Sequence, residues 1–285
     1  MSQVRCLVRT AAALLCIAAS FIVTNAAHAE WLIDAEFSAV YESNINNAVA
    51  EKDHKSDVAM MPAVSFGHYA QPADSISIAV SADLKYSGFS RFSGLDRLES
   101  GLAASVKYKW GLGSYAPWVK VFGSGAHVDF REDFRDEDLA RAGLLTGKRI
   151  YERIFAQLGY AYESGSARDS RFDTRNGIVS AKLDYLLTES VQTWIGYAFG
   201  SGVYIANRPV SGTAPPNARV FIVNTFGEPM AAFQLNADTQ MLSFGARKTL
   251  TNRWSVAISA DFIDIFGNDR HYPDSIYKAN AAYSY

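Results

Sequence analysis

The chain has 285 residues, with 27 Lys and Arg against 29 Asp and Glu and a formal net charge of -2. Hydrophobic residues make up 49% of it and aromatic residues 13%, which excludes a disordered or collagen-like chain. Both signs of charge are spread along the sequence, so it lacks the basic stripe that duplex nucleic acid requires. No nucleic-acid partner is predicted.

The N-terminus has the organisation of a secretory signal peptide. Two arginines precede an apolar stretch, and Ala27-His28-Ala29 supplies an A-x-A cleavage site. We predict cleavage between Ala29 and Glu30, so that residues 1–29 are the signal peptide and residues 30–285 form one mature domain. Both cysteines precede this site, which leaves the mature chain without a disulfide or a cysteine metal site.

After this segment, apolar and polar residues alternate with period two, the pattern of β-strands. Trp31, Ile33 and Phe37 fall on one face of the first copy, while Asp34 and Glu36 fall on the other. The apolar faces extend over about 9–11 residues, enough for a tilted strand to cross a bilayer, and aromatic residues stand at their ends. The predicted strands are 31–42, 58–70, 75–87, 99–110, 115–127, 138–149, 153–164, 177–187, 191–204, 238–249, 253–265 and 275–285.

These features predict an all-β fold, a transmembrane antiparallel β-barrel of about 12 strands. A soluble sandwich is disfavoured because its strands are usually nearer 5–6 residues, and strands in lipid have to close into a barrel to satisfy their backbone groups. Short and long connections alternate; we expect the short ones in the periplasm and the long ones outside. The longest connection, about 205–237, has an apolar second half that is compatible with either an extended hairpin or a lid folded over the lumen.

The chain resembles the small, porin-like β-barrel proteins of the Gram-negative outer membrane in its signal peptide, its hairpin pattern and its aromatic last strand, 277–285. The resemblance implies an outer-membrane location, contact with membrane lipids and lipopolysaccharide, and an assembly signal at Tyr283 and Tyr285 for the barrel-assembly machinery. Tyr41-Glu42-Ser43-Asn44-Ile45 is also similar to a stretch in the barrel of surface lipoprotein assembly modifiers. The helical repeat domain of those proteins has no counterpart here, so their function is not carried over.

The polar strand faces predict a channel for passive diffusion of small polar or charged solutes, because larger barrels tend to enclose water and charged rings select solutes. The alternative is that the charges pair and close the lumen, which would give a non-conducting structural or surface-contact barrel. The predicted pore-lining residues are Asp34, Glu36, Asp83, Lys85, Lys107, Lys109, Lys120, Lys182, Asp184, Arg247, Asp261 and Lys278.

An outer-membrane lipid hydrolase is the less favoured function. Outer-membrane phospholipases carry an H-x-S-N-G stretch, but Tyr41 and Ile45 occupy its His and Gly positions, so Ser43 has no adjacent base. The mature histidines are interpreted as loop or strand-end residues: His54, His68, His127 and His271. We therefore predict no enzymatic activity, no catalytic residue, no metal and no cofactor.

The segment 129–138 is the most acidic part of the chain, with arginines interleaved among its carboxylates. We interpret it as a solvated, salt-bridged loop. The alternative is a loop that gathers divalent cations near lipopolysaccharide, since calcium and magnesium prefer carboxylate oxygens.

Overall fold

The computed structural model describes residues 28–210, 220–267 and 270–285. Within these ranges no helix has the length and apolar character needed to cross a membrane. The strands are β1 (His28–Glu42), β2 (Asp57–Ala73), β3 (Ile76–Phe89), β4 (Arg97–Lys109), β5 (Trp118–Phe130), β6 (Glu137–Tyr151), β7 (Ile154–Ala167), β8 (Thr174–Leu186), β9 (Val191–Pro209), β10 (Phe221–Val223), β11 (Met230–Thr249), β12 (Trp254–Gly267) and β13 (Arg270–Ser284).

Twelve of the described strands close into one antiparallel barrel. Each pairs with its neighbour in the sequence, β9 pairs directly with β11, and β13 returns to pair with β1 from Asp34↔Ser284 to Glu42↔Ile276. The short strand β10 pairs only with the first residues of β11 and lies outside the ring. The predicted 12-stranded barrel is therefore confirmed.

The outer surface of the barrel is apolar on every strand. Each strand carries large apolar side chains that remain 40–65% exposed, and a continuous apolar surface of this kind is typical of a lipid-facing belt, because it exceeds what a soluble protein exposes. One example from each strand, in chain order, is Phe37, Val64, Leu84, Leu102, Val121, Leu144, Leu158, Val179, Ile195, Phe244, Ile258 and Tyr277. Residues with the opposite parity face the interior.

Short turns connect the strands at one end of the barrel, called here the turn end, and longer loops connect them at the other, the loop end. Loops 1 to 4 comprise residues 43–56, 90–96, 131–136 and 168–173, and the described residues of loop 5 are 210 and 220–229, which include β10. Loops 1 to 4 each contain one turn of 3-10 helix: Glu51–Asp53, Ser93–Leu95, Asp133–Arg135 and Ser170–Phe172.

The predicted connection 205–237 is wrong in its extent. β9 continues to Pro209 and β11 begins at Met230, and the two strands remain paired from Met230↔Pro209 downward. Period two continues here, since Phe233, Leu235 and Ala237 are buried on the inward face. The ladder therefore extends beyond the 9–11 residues that a bilayer requires.

Two further boundaries are corrected for related reasons. β5 continues to Phe130 and β6 begins at Glu137, so the predicted loop 129–138 contains strand residues at both ends. At the turn end, β5 begins at Trp118 instead of residue 115, because Gly111 and Gly113 adopt positive φ angles and form a wider turn.

Candidate functional site

The interior of the barrel is the candidate site, and all twelve predicted pore-lining residues lie on its inward-facing side. On β4, for example, Lys107 and Lys109 alternate with the exposed Val106 and Tyr108. On β8, Lys182 and Asp184 alternate in the same way with exposed apolar neighbours. Their assignment as residues that line a solute pathway remains a prediction, because position on a face does not establish passage.

Some of these inward charges pair. Lys182 Nζ lies 2.8 Å from Asp184 Oδ1, and Lys278 Nζ lies 3.0 Å from Glu36 Oε1 across the β1–β13 closure. The side chains of Lys182, Lys278 and Glu36 are nevertheless 40%, 39% and 39% exposed. Because they face the interior, this exposure means that space remains around them.

A basic strip runs along β4 and β5. Lys107 and Lys120 are direct cross-strand partners, and Lys109 is one inward position further toward the turn end. In the described part of the chain, no carboxylate lies within salt-bridge distance of these three lysines. In the order of the twelve barrel strands, β12 is the strand opposite β5, and it carries Asp261. The geometry therefore places unlike charges on opposite walls.

A layer of inward-facing aromatic rings was not predicted. Trp118 and Phe155 stack with ring centroids 6.2 Å apart over Gly147, where an added Cβ would lie only 2.6 Å from the Trp118 ring. Further around the wall, between β9 and β11, the ring of Trp194 covers Gly245 in the same way. The rings occupy space that any side chain on these glycines would fill.

Cations of the lumen lie over these rings. Lys107 Nζ is 4.6 Å from the centroid of Trp118, and Lys182 Nζ is 5.2 Å from the centroid of Trp194. Such contacts hold an ammonium group against a wall without neutralising it. The alternation along the strand was the signal in the sequence. Trp194 lies on the same face as Gln192 and Gly196, whereas the lipid-facing Ile195 lies on the other face.

The loop end is closed by an apolar cluster, called here the mouth cap. Phe226 is buried against Phe92 with their ring centroids 5.3 Å apart, and Phe221 packs against Phe134 at 4.9 Å and Phe172 at 5.7 Å. All of loops 1 to 5 contribute to the cap: its members include Ile45, Phe92, Leu95, Phe134, Phe172, Phe221, Val223, Phe226 and Met230.

The mouth cap crosses the opening of the barrel. Around the ring of six hairpins, loop 2 and loop 5 are separated by two hairpins in either direction, so they emerge from opposite walls. The contact between Phe92 of loop 2 and Phe226 of loop 5 therefore spans the mouth. The two alternatives for the 205–237 segment both hold in part: β9 and β11 form an extended hairpin, and β10 folds inward from it.

Polar contacts surround the cap. Thr225 donates a hydrogen bond of 2.6 Å to Glu132, Lys55 of loop 1 pairs with Glu228, and the guanidinium of Arg171 lies 4.2 Å from the Phe221 centroid. Asp169 binds Arg171 through a hydrogen bond of 2.8 Å, and this contact holds the pKa of the Asp169 carboxyl below its usual value. The cap is thus an apolar centre tied at its rim by charged groups.

Loops 2, 3 and 4 share an aspartate that sequence analysis missed. Asp96, Asp136 and Asp173 each follow the 3-10 turn and accept a hydrogen bond of 2.8–2.9 Å from a backbone N–H at the end of the preceding strand. Each aspartate thereby closes its loop into a fixed shape. The recurring signal was an aspartate directly before the first residue of the next strand.

The acidic segment 129–138 is salt-bridged, as its first interpretation held. Glu132 pairs with Arg135 at 3.1 Å, and Arg168 lies 3.7 Å from Asp133 and 3.9 Å from Asp136. Among the described residues, no three His, Cys, Asp or Glu side chains are grouped as metal ligands.

The Tyr41–Ile45 segment has a structural role. Ser43 donates a hydrogen bond of 2.9 Å to Asp274 and accepts one from the backbone N–H of Ser275. The buried Asn44 donates to the carbonyls of Ala48 and Pro273. This segment joins β1 to β13 at the loop end, where the barrel closes.

The two ends of the mature chain meet at the turn end. Ala29 and Glu30 pair with Ala70 and Tyr69 in the β1–β2 ladder, so the predicted cleavage site lies at the start of β1. The C-terminal Tyr285 donates its backbone N–H to the carbonyl of Ile33, and Tyr283 packs against Trp254. Their role as an assembly signal remains a prediction, as do the domain boundaries.

No protein-family model matches the chain, and no curated protein sequence matches it either. Solved structures do match: an outer-membrane channel from Pseudomonas putida F1 is 12% identical over 92% of this chain and 98% of its own, with a TM-score of 0.59. The NanC porin is 9% identical over 87% of this chain and 98% of its own, with a TM-score of 0.49. With its lipid-facing belt and closed ring of twelve strands, the chain has the fold of the outer-membrane β-barrels.

Proposed function

We propose that the protein is an outer-membrane channel for passive diffusion of small polar or charged solutes, closed at its mouth by the cap. The observation that carries the proposal is the exposure of about 40% that Lys182, Lys278 and Glu36 retain inside the barrel. A lumen sealed by ion pairs would bury these groups, since an unsolvated charge is costly. Diffusion of this kind needs no catalytic residue and no cofactor.

The unpaired lysines of β4 and β5 favour anions over cations. A unit charge a few Å from a passing ion in water contributes about 1 kcal/mol, and Lys107, Lys109 and Lys120 act together on one wall. The structurally similar protein of Pseudomonas putida F1 is itself described as a channel, and we carry that activity over as part of the proposal.

The mouth cap is compatible with two functions: it is either the gate of a channel or part of a non-conducting structural barrel. A change at the centre of the cap distinguishes them. If the cap is a gate, weakening its centre opens the lumen; if the barrel is a closed structural unit, the lumen stays shut whatever the cap does. The residue to change is Phe226, which is 4% exposed at the centre of the cap. The matched control is Ile222, which belongs to the same loop but is 51% exposed.

The test is single-channel recording of the refolded mature protein in a planar bilayer. We expect short, infrequent openings for the unmodified protein and for Ile222→Ser, and long-lived openings for Phe226→Ser. Absence of any conductance in all three proteins, each shown to be folded by its heat-modifiable migration on gels, would contradict the proposal and favour the structural barrel.

A further inference from the structure

Three polar side chains stand side by side on the outer face of the barrel, near the loop end. Ser100 of β4 is the direct cross-strand partner of His127 of β5, and His127 is the direct partner of Asp138 of β6. All three side chains face outward, on the side of the sheet that also carries the lipid-facing Leu102 of β4 and Leu144 of β6. This order across three strands became visible only with the register, because the residues are far apart in the sequence.

The histidine is oriented by the aspartate. His127 Nδ1 lies 2.9 Å from Asp138 Oδ1, and a carboxylate only accepts hydrogen bonds, so in the neutral ring the Nδ1 proton points to Asp138 and Nε2 carries the lone pair. Side chains of directly opposed residues have Cβ atoms about 4.5–5.5 Å apart, so a rotation of the Ser100 side chain brings Oγ within reach of the ring. No Ser100–His127 hydrogen bond is formed in the described structure; such bonds commonly tighten only with substrate.

The row lies at the upper edge of the lipid-facing belt. Ser100 has the exposed Leu84 as its partner on β3, and the exposed Leu98 and Leu102 flank it along β4. Loop 3 begins only four residues beyond His127, at Arg131. A group at this height contacts the boundary between acyl chains and headgroups, which is where the ester bonds of membrane lipids lie.

A shallow furrow descends from the row toward the membrane centre. Gly125, the next outward position below His127, has Leu102 and Ala140 as its cross-strand partners, and Gly123 below it has Ala104 and Ala142. A Cβ added at either glycine would meet no atom closer than 3.7 Å. The outer surface below His127 is therefore recessed and apolar, with room for an acyl chain.

We propose that Ser100, His127 and Asp138 form a serine-hydrolase triad that cleaves an acyl ester of an outer-leaflet lipid. His127 Nε2 takes the proton from Ser100 Oγ as that oxygen bonds to the ester carbonyl carbon, and the proton then passes to the departing alcohol oxygen as the ester C–O bond breaks. Water adds to the acyl-serine by the same route, which releases the fatty acid and restores Ser100. Asp138 holds the imidazole in the productive tautomer.

The barrel supplies a matched control for this proposal. His271 Nε2 and Asp264 Oδ1 form a second outward His–Asp pair, 2.6 Å apart. The direct partners of these two residues in the ladders are Phe266, Pro273 and Gln240, so the pair has no opposed serine. A second serine control is Ser166, the partner of Asp138 on its other side.

The first experiment is covalent labelling of the refolded mature protein with a fluorophosphonate probe, followed by mass spectrometry of the labelled peptide. We expect one label at Ser100, lost in Ser100→Ala and reduced at least tenfold in His127→Ala, but unchanged in His271→Ala and Ser166→Ala. All variants are first confirmed as folded by heat-modifiable migration. Absence of the label from the folded unmodified protein, or its persistence in His127→Ala, would overturn the triad.

The second experiment identifies the source of the ester. The protein is incubated with phosphatidylethanolamine vesicles in one arm and with purified lipopolysaccharide in the other, and released fatty acid is measured against Ser100→Ala. Release in the first arm identifies a glycerophospholipid and release in the second a lipopolysaccharide acyl chain; release in neither overturns a lipid substrate. Since Ser100 faces away from the lumen, Ser100→Ala leaves single-channel conductance unchanged, which separates this proposal from the channel.

Discussion

The two ends of the lumen differ in what fills them. At the turn end, the inward residues are mostly charged or aromatic, and Lys107, Lys109 and Trp118 remain partly exposed. At the loop end, the inward positions Val128 and Phe130 are buried, and the mouth cap lies above them. The same strands therefore surround partly exposed polar groups at one end and an apolar core at the other.

This difference separates selection of solutes from control of access. In the proposed channel, the charges that act on a passing ion are the partly exposed ones of the turn end. Closure requires contacts that exclude water, and these are the apolar contacts of the loops. Loop 5 supplies both Phe221 and Phe226 to the cap, so one connection determines whether the charged compartment reaches the outside.

The assignment of the two ends to the two sides of the membrane gives the largest expected effect. Asp133→Cys in loop 3 is expected to react with an impermeant maleimide on intact cells, because its side chain is 78% exposed and loop ends face outward. Asp74→Cys, in the turn between β2 and β3, is expected to react only after lysis. The measurement is labelling before and after lysis, and the reverse pattern would invert the barrel.

Charge reversal at the turn end sharpens the contrast in selectivity. Lys107→Glu with Lys109→Glu is expected to shift the cation-to-anion permeability ratio by about fivefold or more, from the roughly 1 kcal/mol that each nearby charge contributes. The readout is the reversal potential in a salt gradient, recorded on the Phe226→Ser background so that the channel is open. Lys148→Glu, an outward position on β6, is the control; an equal shift there would show that the lumen charges are not responsible.

The aromatic layer of the turn end provides a test of packing. Gly147→Ala places a Cβ against the Trp118 and Phe155 rings and is expected to lower the free energy of unfolding by roughly 1–3 kcal/mol through overpacking. Gly123→Ala, where the nearest atom lies 3.7 Å from the new Cβ, is expected to change it little. Urea titration of both variants in detergent gives the comparison, and equal stabilities would mean that the rings move aside freely.

Much of the barrel could be predicted from sequence because a transmembrane strand has to alternate. Lipid on one side and water on the other impose period two on every crossing, which is why each predicted strand overlaps an observed one and why Lys107 and Asp184 were assigned to the correct face. Beyond the membrane the alternation continues with its polarity reversed, because the apolar residues there face the interior and the polar residues face outward. Above the membrane Phe233 and Leu235 turn inward into the apolar core, so the ends of β9 and β11 were placed too low.

The mouth cap and the outer serine row depend on distances that sequence spacing does not encode. Phe92 and Phe226 meet only because two loops emerge from opposite walls, and Ser100 meets His127 only because of the β4–β5 register. The inward rings of Trp118 and Trp194 were missed for another reason. Aromatic residues near strand ends are usually assigned to the lipid girdle, and only their parity indicated the lumen.

The rim of the cap gives the smallest and most specific effect, a dependence on pH. The Asp169 carboxylate is held by Arg171, whose guanidinium covers Phe221 and donates toward the carbonyl of Val220. Since this contact lowers the pKa of Asp169, it stabilises the closed loop at pH values above the ordinary aspartate pKa of about 3.9, and the stabilisation is lost as the pH falls through the lowered value.

We therefore expect open probability to rise modestly below about pH 4. Asp169→Asn should raise it already at neutral pH and flatten its acid dependence, whereas Asp129→Asn, at an exposed outward position of β5, should behave as the unmodified protein. Recording open probability from pH 7 to pH 3 for the three proteins gives the result, and an identical acid response in Asp169→Asn would assign the effect to other carboxylates of the rim, such as Glu132.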